Sequence, residues 1–366
     1  SGYDCGLDCR SIVSRAGCLW RVGVSMDRDM WLRSALKTSE VRKLRPQKPI
    51  RRVGESMGFV RELEADGLGG VVIARTYFLV GSECRFTCSM CDLWKYTLRE
   101  PNTPNDSLAV QIQTLHDQVS MERQSAAHPE WIKLYNASNF FDPANVPPDE
   151  LDSIAKLCNG FQRVVVENHA SLLSSKKIQD SVCRFRDLID GQLEVAMGLE
   201  TIDPNGIKWL NKSMSLDQFQ QAVEFLTHEG ILVRSFVLLQ PLGTQIDESV
   251  EWAVRSCRQA SSWGAQRVSL IPTRSGNGFI ENVANELGWK PPTARQLESA
   301  IEALLESPQA NTLGAPRSSI YTVDLWDWKS LAGTCSACSQ LRLDRLERMN
   351  QGQKVLASTS QAACEC

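Results

Sequence analysis

The stretch GSECRFTCSMCDLW, residues 81–94, follows a β-branched apolar run, VVIARTYFLV at 71–80. A strand that feeds a loop with the spacing Cys84-x3-Cys88-x2-Cys91 is where the fold becomes readable. From there the chain alternates short β-branched runs with longer amphipathic segments, the pattern of repeated βα units and a parallel sheet. The runs predict strands over 70–79, 131–135, 163–167, 193–197, 232–239 and 267–271. The intervening periodicity predicts helices over 108–124, 149–157, 172–188, 216–228, 246–263 and 294–305. Ser215 with Gln218 three residues on makes a helix start, and Gly230 beyond His228 a stop. Six βα units fall short of the eight of a closed barrel. The fold class is therefore α/β, a partial (β/α)6 TIM-type barrel with an N-terminal extension and a Cys-rich C-terminal tail. Such sheets put their chemistry at the carboxyl ends of their strands, which is where the three cysteines fall.

Three thiolates are a telling number. Four close the coordination of a structural zinc or an electron-transfer cluster, whereas three leave one iron of a cubane without a protein ligand and open to a small molecule. The chain has 13 cysteines in 366 residues. Clustering by spacing in a mid-sized chain without an export signal points to metal rather than disulfides. A second group, Cys335-x2-Cys338 and Cys364-x-Cys366, is separated by a helical spacer and can converge on one metal, zinc or iron–sulfur. Cys158, Cys183 and Cys257 stand singly in helical patterns and read as buried small apolar residues. The first 25 residues lack an amphipathic period, so the native start is expected at Met26, with Cys5, Cys9 and Cys18 incidental.

A hydrophobic content of 42% and a net charge of −3 describe an ordinary globular protein with no overall electrostatic pull toward nucleic acid or membrane. Residues 1–60 nevertheless carry twelve Lys or Arg against six Asp or Glu. A solvated arm is the simpler reading of that excess, a phosphate-binding arm the alternative. No stretch reaches the roughly 18 apolar residues of a membrane span, so a cytoplasmic protein with no membrane partner is expected. The expected organisation is a basic extension at 1–60, the barrel at 61–310 and a Cys-rich metal-binding region at 311–366.

The cysteine loop after a first strand, with five βα units behind it, resembles the radical S-adenosylmethionine (radical SAM) superfamily. That resemblance implies a [4Fe–4S] cluster on Cys84, Cys88 and Cys91, and S-adenosyl-L-methionine (SAM) chelated to its open iron. Reductive cleavage then gives a 5′-deoxyadenosyl radical, with a reductant such as flavodoxin or ferredoxin as partner. One departure is Met90, where the family usually has an aromatic against the adenine; a thioether makes the same apolar contact with less shape definition. A second is LYNASNFFDP at 134–143, where many members carry a Gly-Gly-Glu run for the methionine amino group. Asn136, Ser138 and Asn139 offer groups that can serve instead, or cap the strand as polar turn residues. In VAMGLETIDPNGIKWLNKSMSLDQF at 195–219, the resemblance assigns Glu200 to the ribose hydroxyls. On the next strand it assigns Arg234 to the cofactor carboxylate, with a surface salt bridge as the alternative. In SLIPTRSGNG at 269–278, Gly276 and Gly278 allow close backbone approach while Thr273, Arg274 and Asn277 present donors to cofactor or substrate. Glu167, Asn168 and His169 end the third strand facing the same cavity, where a lone histidine is as often a strand cap as an acid or base.

The GLET block and the fifth-strand run GILVRSFVLLQP place the likeness in the subgroup of the elongator catalytic subunit, the methylthiotransferases and the oxygen-independent coproporphyrinogen oxidase. CRFTCSMCDLWKYT, NASNFFDP, VVVENHA and SLIPTRSGNG look most like the radical SAM subunit of archaeosine synthase and its bacterial relatives, over residues 45 to 350. That family implies tRNA as partner and a modified 7-deazaguanine-type base as target. A basic helix face of Arg342, Arg345 and Arg348, beside the basic arm at 42–52, would meet the phosphates. The alternatives are a radical SAM enzyme acting on a small molecule or peptide with an auxiliary cluster, and a metal-bearing RNA-binding module without catalysis.

Overall fold

The computed structural model describes residues 36–52, 54–99, 108–122, 130–306, 319–326, 328, 331, 333 and 335–357. Eight strands form one curled sheet in sequence order: β1 (Gly58–Ala65), β2 (Val71–Phe78), β3 (Glu130–Tyr135), β4 (Arg163–Glu167), β5 (Gln192–Glu200), β6 (Leu232–Leu239), β7 (Arg267–Pro272) and β8 (Ile320–Val323). β1 is antiparallel to β2, and every later pair is parallel. The helices, in order, are α1 (Thr38–Lys43), α2 (Leu108–Glu122), α3 (Pro148–Leu157), α4 (Lys176–Leu188), α5 (Pro204–Leu210), α6 (Leu216–His228), α7 (Ser249–Trp263), α8 (Phe279–Leu287), α9 (Ala294–Glu306) and α10 (Ser339–Gly352). The partial TIM-type barrel is thus present with all six expected strands. Ser215 and Gln218 close a reciprocal capping box on α6. Among the described residues no helix is long and apolar enough to cross a membrane.

Two strands were not expected, and each has a physical reason. β1, GFVRELEA, alternates charge with apolar residues and reads as polar chain until its partners are known. β8 is only four residues long. Its free edge is covered by α10. The Asn350 amide exchanges hydrogen bonds with the Val323 N–H and carbonyl at 2.9 Å each, and the Gln353 amide does the same with Tyr321 at 3.0 and 2.8 Å. Side chains thus satisfy the edge where a further strand would otherwise pair, and the sheet ends there. β8 thus pairs with β7, and α10 packs on β8 and β1.

The two faces of the sheet differ. Outward residues such as Ile132, Val164, Val195, Val233 and Val268 join the helices in the main apolar core. Inside, where barrels are ordinarily filled by branched aliphatics, lies a buried ion-pair floor. Glu64 of β1 accepts from Lys133 at 2.7 Å and from Arg234 at 2.7 and 3.1 Å. Glu194 of β5 accepts from Arg234 at 2.5 Å and from Arg163 at 2.9 Å. Arg267 stands 3.6 Å from Glu64 and 3.7 Å from Glu194. Arg163 and Arg267 also lie over the Trp131 ring, at 3.8 and 4.6 Å from its centroid. Burial opposes both carboxylates, but the surrounding cations outweigh it and hold Glu64 and Glu194 below the usual range.

Candidate active site

Above this floor, the cysteine loop crosses the carboxyl ends of the strands and is tied down from several of them. From the β3 side, the Asn145 amide donates to the Ser82 and Glu83 carbonyls at 3.4 and 3.1 Å, and buried Asp142 accepts from Arg85 at 2.5 Å. From the β5 side, the Asn211 amide donates to the Thr87 carbonyl at 2.8 Å. The Leu210 carbonyl accepts the Ser89 N–H at 2.9 Å, and the Ser89 hydroxyl donates to the Trp209 carbonyl. From the β7 side, Arg274 pairs with Asp92 at 2.9 Å and Asn277 donates to the Ser89 carbonyl.

Residues 36–52 fold over the outside of this loop. Arg45 and Lys48 both hold Glu83, at 2.7 and 2.8 Å, and Arg45 lies over Trp94 at 4.9 Å. Val41 is buried with Trp209, Leu242, Phe279, Ile280, Val283 and Trp289. Gly278, with φ of 90°, leaves room for the Leu44 carbonyl where a Cβ would collide with it. The described part of the basic extension is therefore a strap: Glu83 and the ring faces of Trp94 and Tyr96 hold Arg45, Lys48 and Arg51, while Arg42 and Arg52 stay exposed.

The three thiols differ in setting. Cys84 accepts from the Asn139 amide at 3.1 Å and from the Phe86 N–H at 3.4 Å. Burial pushes all three thiols up, Cys88 to about 12, while the Lys212 ammonium works against that rise at Cys88. A bound cation would invert this balance and favour thiolates. Among the described residues, no three Cys, His, Asp or Glu side chains are gathered closely enough to grip one ion as they stand. The fit to a cluster is one of donor chemistry: three thiols on one clamped loop at the mouth.

The other expected residues fall as follows. Met90 packs on the apolar cluster beneath the strap. At the end of β3, Asn136 is fully buried with both amide atoms unpartnered, and the buried Ser138 hydroxyl is likewise without a partner. So is the Thr273 hydroxyl after β7. Glu200 sits at a β-bulge with φ of 68° and pairs with Lys212 across the space left by Gly198, where a Cβ would strike both. Left-handed residues Ala137, Glu200 and Gln240 end β3, β5 and β6, the kind of strained backbone that clusters at functional sites. Arg234 is a correction. Its register sets it beside Ala196, four residues below Glu200, and its Nε, Nη1 and Nη2 are all engaged by Glu194 and Glu64 in the floor. Lys212, which sequence reasoning passed over, meets Glu200 from twelve residues away, and no spacing signals such a pair.

His169 is a structural cap. Its Nε2 donates to the Lys212 carbonyl at 2.9 Å, its Nδ1 accepts from Ser171, and its ring stacks on Phe86 at 3.8 Å. Burial pushes it down to about 3, so the ring is neutral. Burial raises the Glu167 carboxyl to about 8 against the Ala137 N–H that it accepts, and its Oε2 has no partner. In the tail, the Cys335 and Cys338 sulfurs lie 3.5 Å apart at the start of α10, and Cys364 and Cys366 lie outside the described residues. The expected basic face on α10 is corrected: Arg342 and Arg345 are buried against Glu298 and Glu302 of α9. Cys158 and Cys257 are buried as expected, but Cys183 is partly exposed beside Glu229.

No family model matches the chain. It is 25% identical over 287 residues to archaeosine synthase subunit beta of Methanosarcina acetivorans, covering 76% of this chain and 77% of that one. It is 24% identical over 247 residues to an uncharacterised protein of Methanocaldococcus jannaschii, 64% of this chain, and spans 63% of that relative's length. Among solved structures, the Elp3 of Methanocaldococcus infernus superposes with a TM-score of 0.47 at 14% identity, covering 67% of this chain and 59% of that one. In sequence, the chain is similar to archaeosine synthase subunit beta over 76% of its length, alongside the likeness of its motifs to the radical SAM superfamily.

Proposed function

We propose that this chain is a radical SAM enzyme, with Cys84, Cys88 and Cys91 holding a [4Fe–4S] cluster at the barrel mouth. The observation that carries the reading is the three-cysteine loop clamped over strand ends where Asn136, Ser138 and Thr273 keep buried polar atoms without partners. Buried groups of that kind call for a ligand. Cluster and SAM, when bound, supply one-electron cleavage of the sulfonium to a 5′-deoxyadenosyl radical. The protein's part is to hold and orient. In this reading Asn136 and Ser138 are assigned to the methionine end, Glu200 to the ribose hydroxyls, and Thr273 and Arg274 to the remaining polar edge. Arg234 closes the cavity from below. The strap braces the cysteine loop from outside through Glu83. Cys335 and Cys338, with Cys364 and Cys366, are assigned to a second metal, zinc or iron–sulfur.

The similarity to archaeosine synthase subunit beta supports a modified 7-deazaguanine-type base in tRNA as substrate. Phosphate contact then falls to exposed strap residues such as Arg42 and Arg52, since Arg342 and Arg345 are engaged. The test is anaerobic reconstitution with iron and sulfide counts and assay of 5′-deoxyadenosine under reductant, with and without tRNA. Cleavage that survives Cys84→Ala, Cys88→Ala and Cys91→Ala together defeats the reading. If tRNA binds without steep salt dependence, or leaves cofactor turnover unaltered, the substrate assignment fails while the enzyme class stands.

A further inference from the structure

Asn139 has two hydrogen-bonding ends, and the structure determines which faces where. The His169 N–H meets its amide at 2.9 Å and can bond only to the oxygen, so Oδ1 faces His169 and Nδ2 faces the Cys84 sulfur at 3.1 Å. The side chain is 4% exposed, and the loop that carries it is held firmly. Phe140 and Phe141 pack edge-on to Phe185, at 5.2 and 5.8 Å between centroids. The Phe140 N–H donates to the Glu167 carbonyl at 2.8 Å and the Phe141 N–H to the Asn168 amide oxygen at 3.2 Å. The amide therefore cannot turn away from the sulfur without breaking the His169 bond. Among the described residues it is the side-chain amide bonded to the cysteine loop's sulfurs, and the backbone donor to Cys84, Phe86 N–H, is longer at 3.4 Å.

We propose that Asn139 is a positioning residue for the cluster: it donates an N–H···S hydrogen bond to Cys84 and thereby makes the bound cluster easier to reduce. This rests on the radical SAM reading above. It replaces the expectation that Asn139 receives the methionine amino group, which is left to Asn136 and Ser138. A thiolate sulfur becomes more negative when its cluster gains an electron, so a donor aimed at it stabilises the reduced state more than the oxidised one. Reduction is the step that an external donor must drive, so this contact acts on the demand placed on that donor.

Two variants separate donation from shape. Asn139→Asp keeps an oxygen for the His169 N–H and removes the donor; Asn139→Ala removes the donor without adding charge. Redox titration of the reconstituted protein, followed by absorbance and electron paramagnetic resonance, is expected to give a more negative midpoint potential in both, further in Asn139→Asp. Iron, sulfide and SAM affinity should match the wild type. An Asn139→Ala cluster with full iron and the wild-type potential overturns the proposal, as does lost SAM affinity with an unchanged potential. Should neither variant load, wild-type protein labelled with 15N-asparagine decides: the reduced cluster is expected to show a coupled asparagine nitrogen in pulsed resonance, and no such coupling overturns the assignment. Failure of the wild type to take up iron at all instead removes the radical SAM reading beneath it.

Discussion

Glu194→Gln is the sharpest perturbation of the barrel floor. The Glu194 carboxylate is fully buried, accepts from Arg234 at 2.5 Å and Arg163 at 2.9 Å, and has Arg267 at 3.7 Å. Gln has nearly the same volume, so little cavity forms and the change is one of charge. Arg234 and Arg267 are then left with Glu64 as their shared buried anion, and Arg163 loses its carboxylate partner. Breaking a buried pair by removing one partner costs about 3–5 kcal/mol. Arg163 can turn partly toward water, which places the expectation near the lower end, about 3 kcal/mol. Urea unfolding at neutral pH should show that loss as a lower midpoint with an unchanged slope. The pair variant Glu194→Met with Arg234→Met removes both charges and should recover most of it. It should also keep SAM affinity, because Arg234 belongs to the floor. The pH dependence has a defined sign. Glu64 and Glu194 are held below the carboxylate value of 4.5, so their stabilisation is present above that pH and is lost as pH falls through their lowered folded values. In Glu194→Gln this acid loss should shrink. A cost below about 1 kcal/mol for Glu194→Gln, or a pair variant worse than the single one, would refute the reasoning.

Gly278→Ala should drive a Cβ into the Leu44 carbonyl and lift the strap, costing about 1–3 kcal/mol locally; proteolysis within 36–52 no faster than in the wild type rejects the close approach. For Glu200→Gln, cofactor affinity should fall by roughly 1.5–3 kcal/mol with iron content unchanged, and an unaltered SAM titration would move the ribose site elsewhere. His169, pushed down to about 3, stays neutral when folded, whereas the unfolded ring takes a proton below its ordinary value of 6.5. Its contribution to stability therefore falls as pH drops through that value. An imidazole resonance of His169 that titrates near its ordinary value would contradict the buried cap.

The period of the apolar runs, the Cys-x3-Cys-x2-Cys loop and the Ser215 cap were legible in the sequence because each is local: alternation, spacing and capping act over a few residues. Those features determined the six βα units and where their chemistry would lie. Only the tertiary structure decided the rest. Glu64, Lys133, Glu194, Arg234 and Arg267 are charged residues from five strands, and nothing in any one strand says that they neutralise one another inside the barrel. Arg342 and Arg345 follow the spacing of a solvated basic face, yet α9 supplies Glu298 and Glu302 to bury them. The strap over Glu83 and the Asn139 bond to Cys84 likewise join residues distant in sequence. The physical reason is common to all of these. A charge or an amide states what it requires, but the partner that meets the requirement is chosen by which segments the fold brings within hydrogen-bonding distance, and that information is spread over the whole chain.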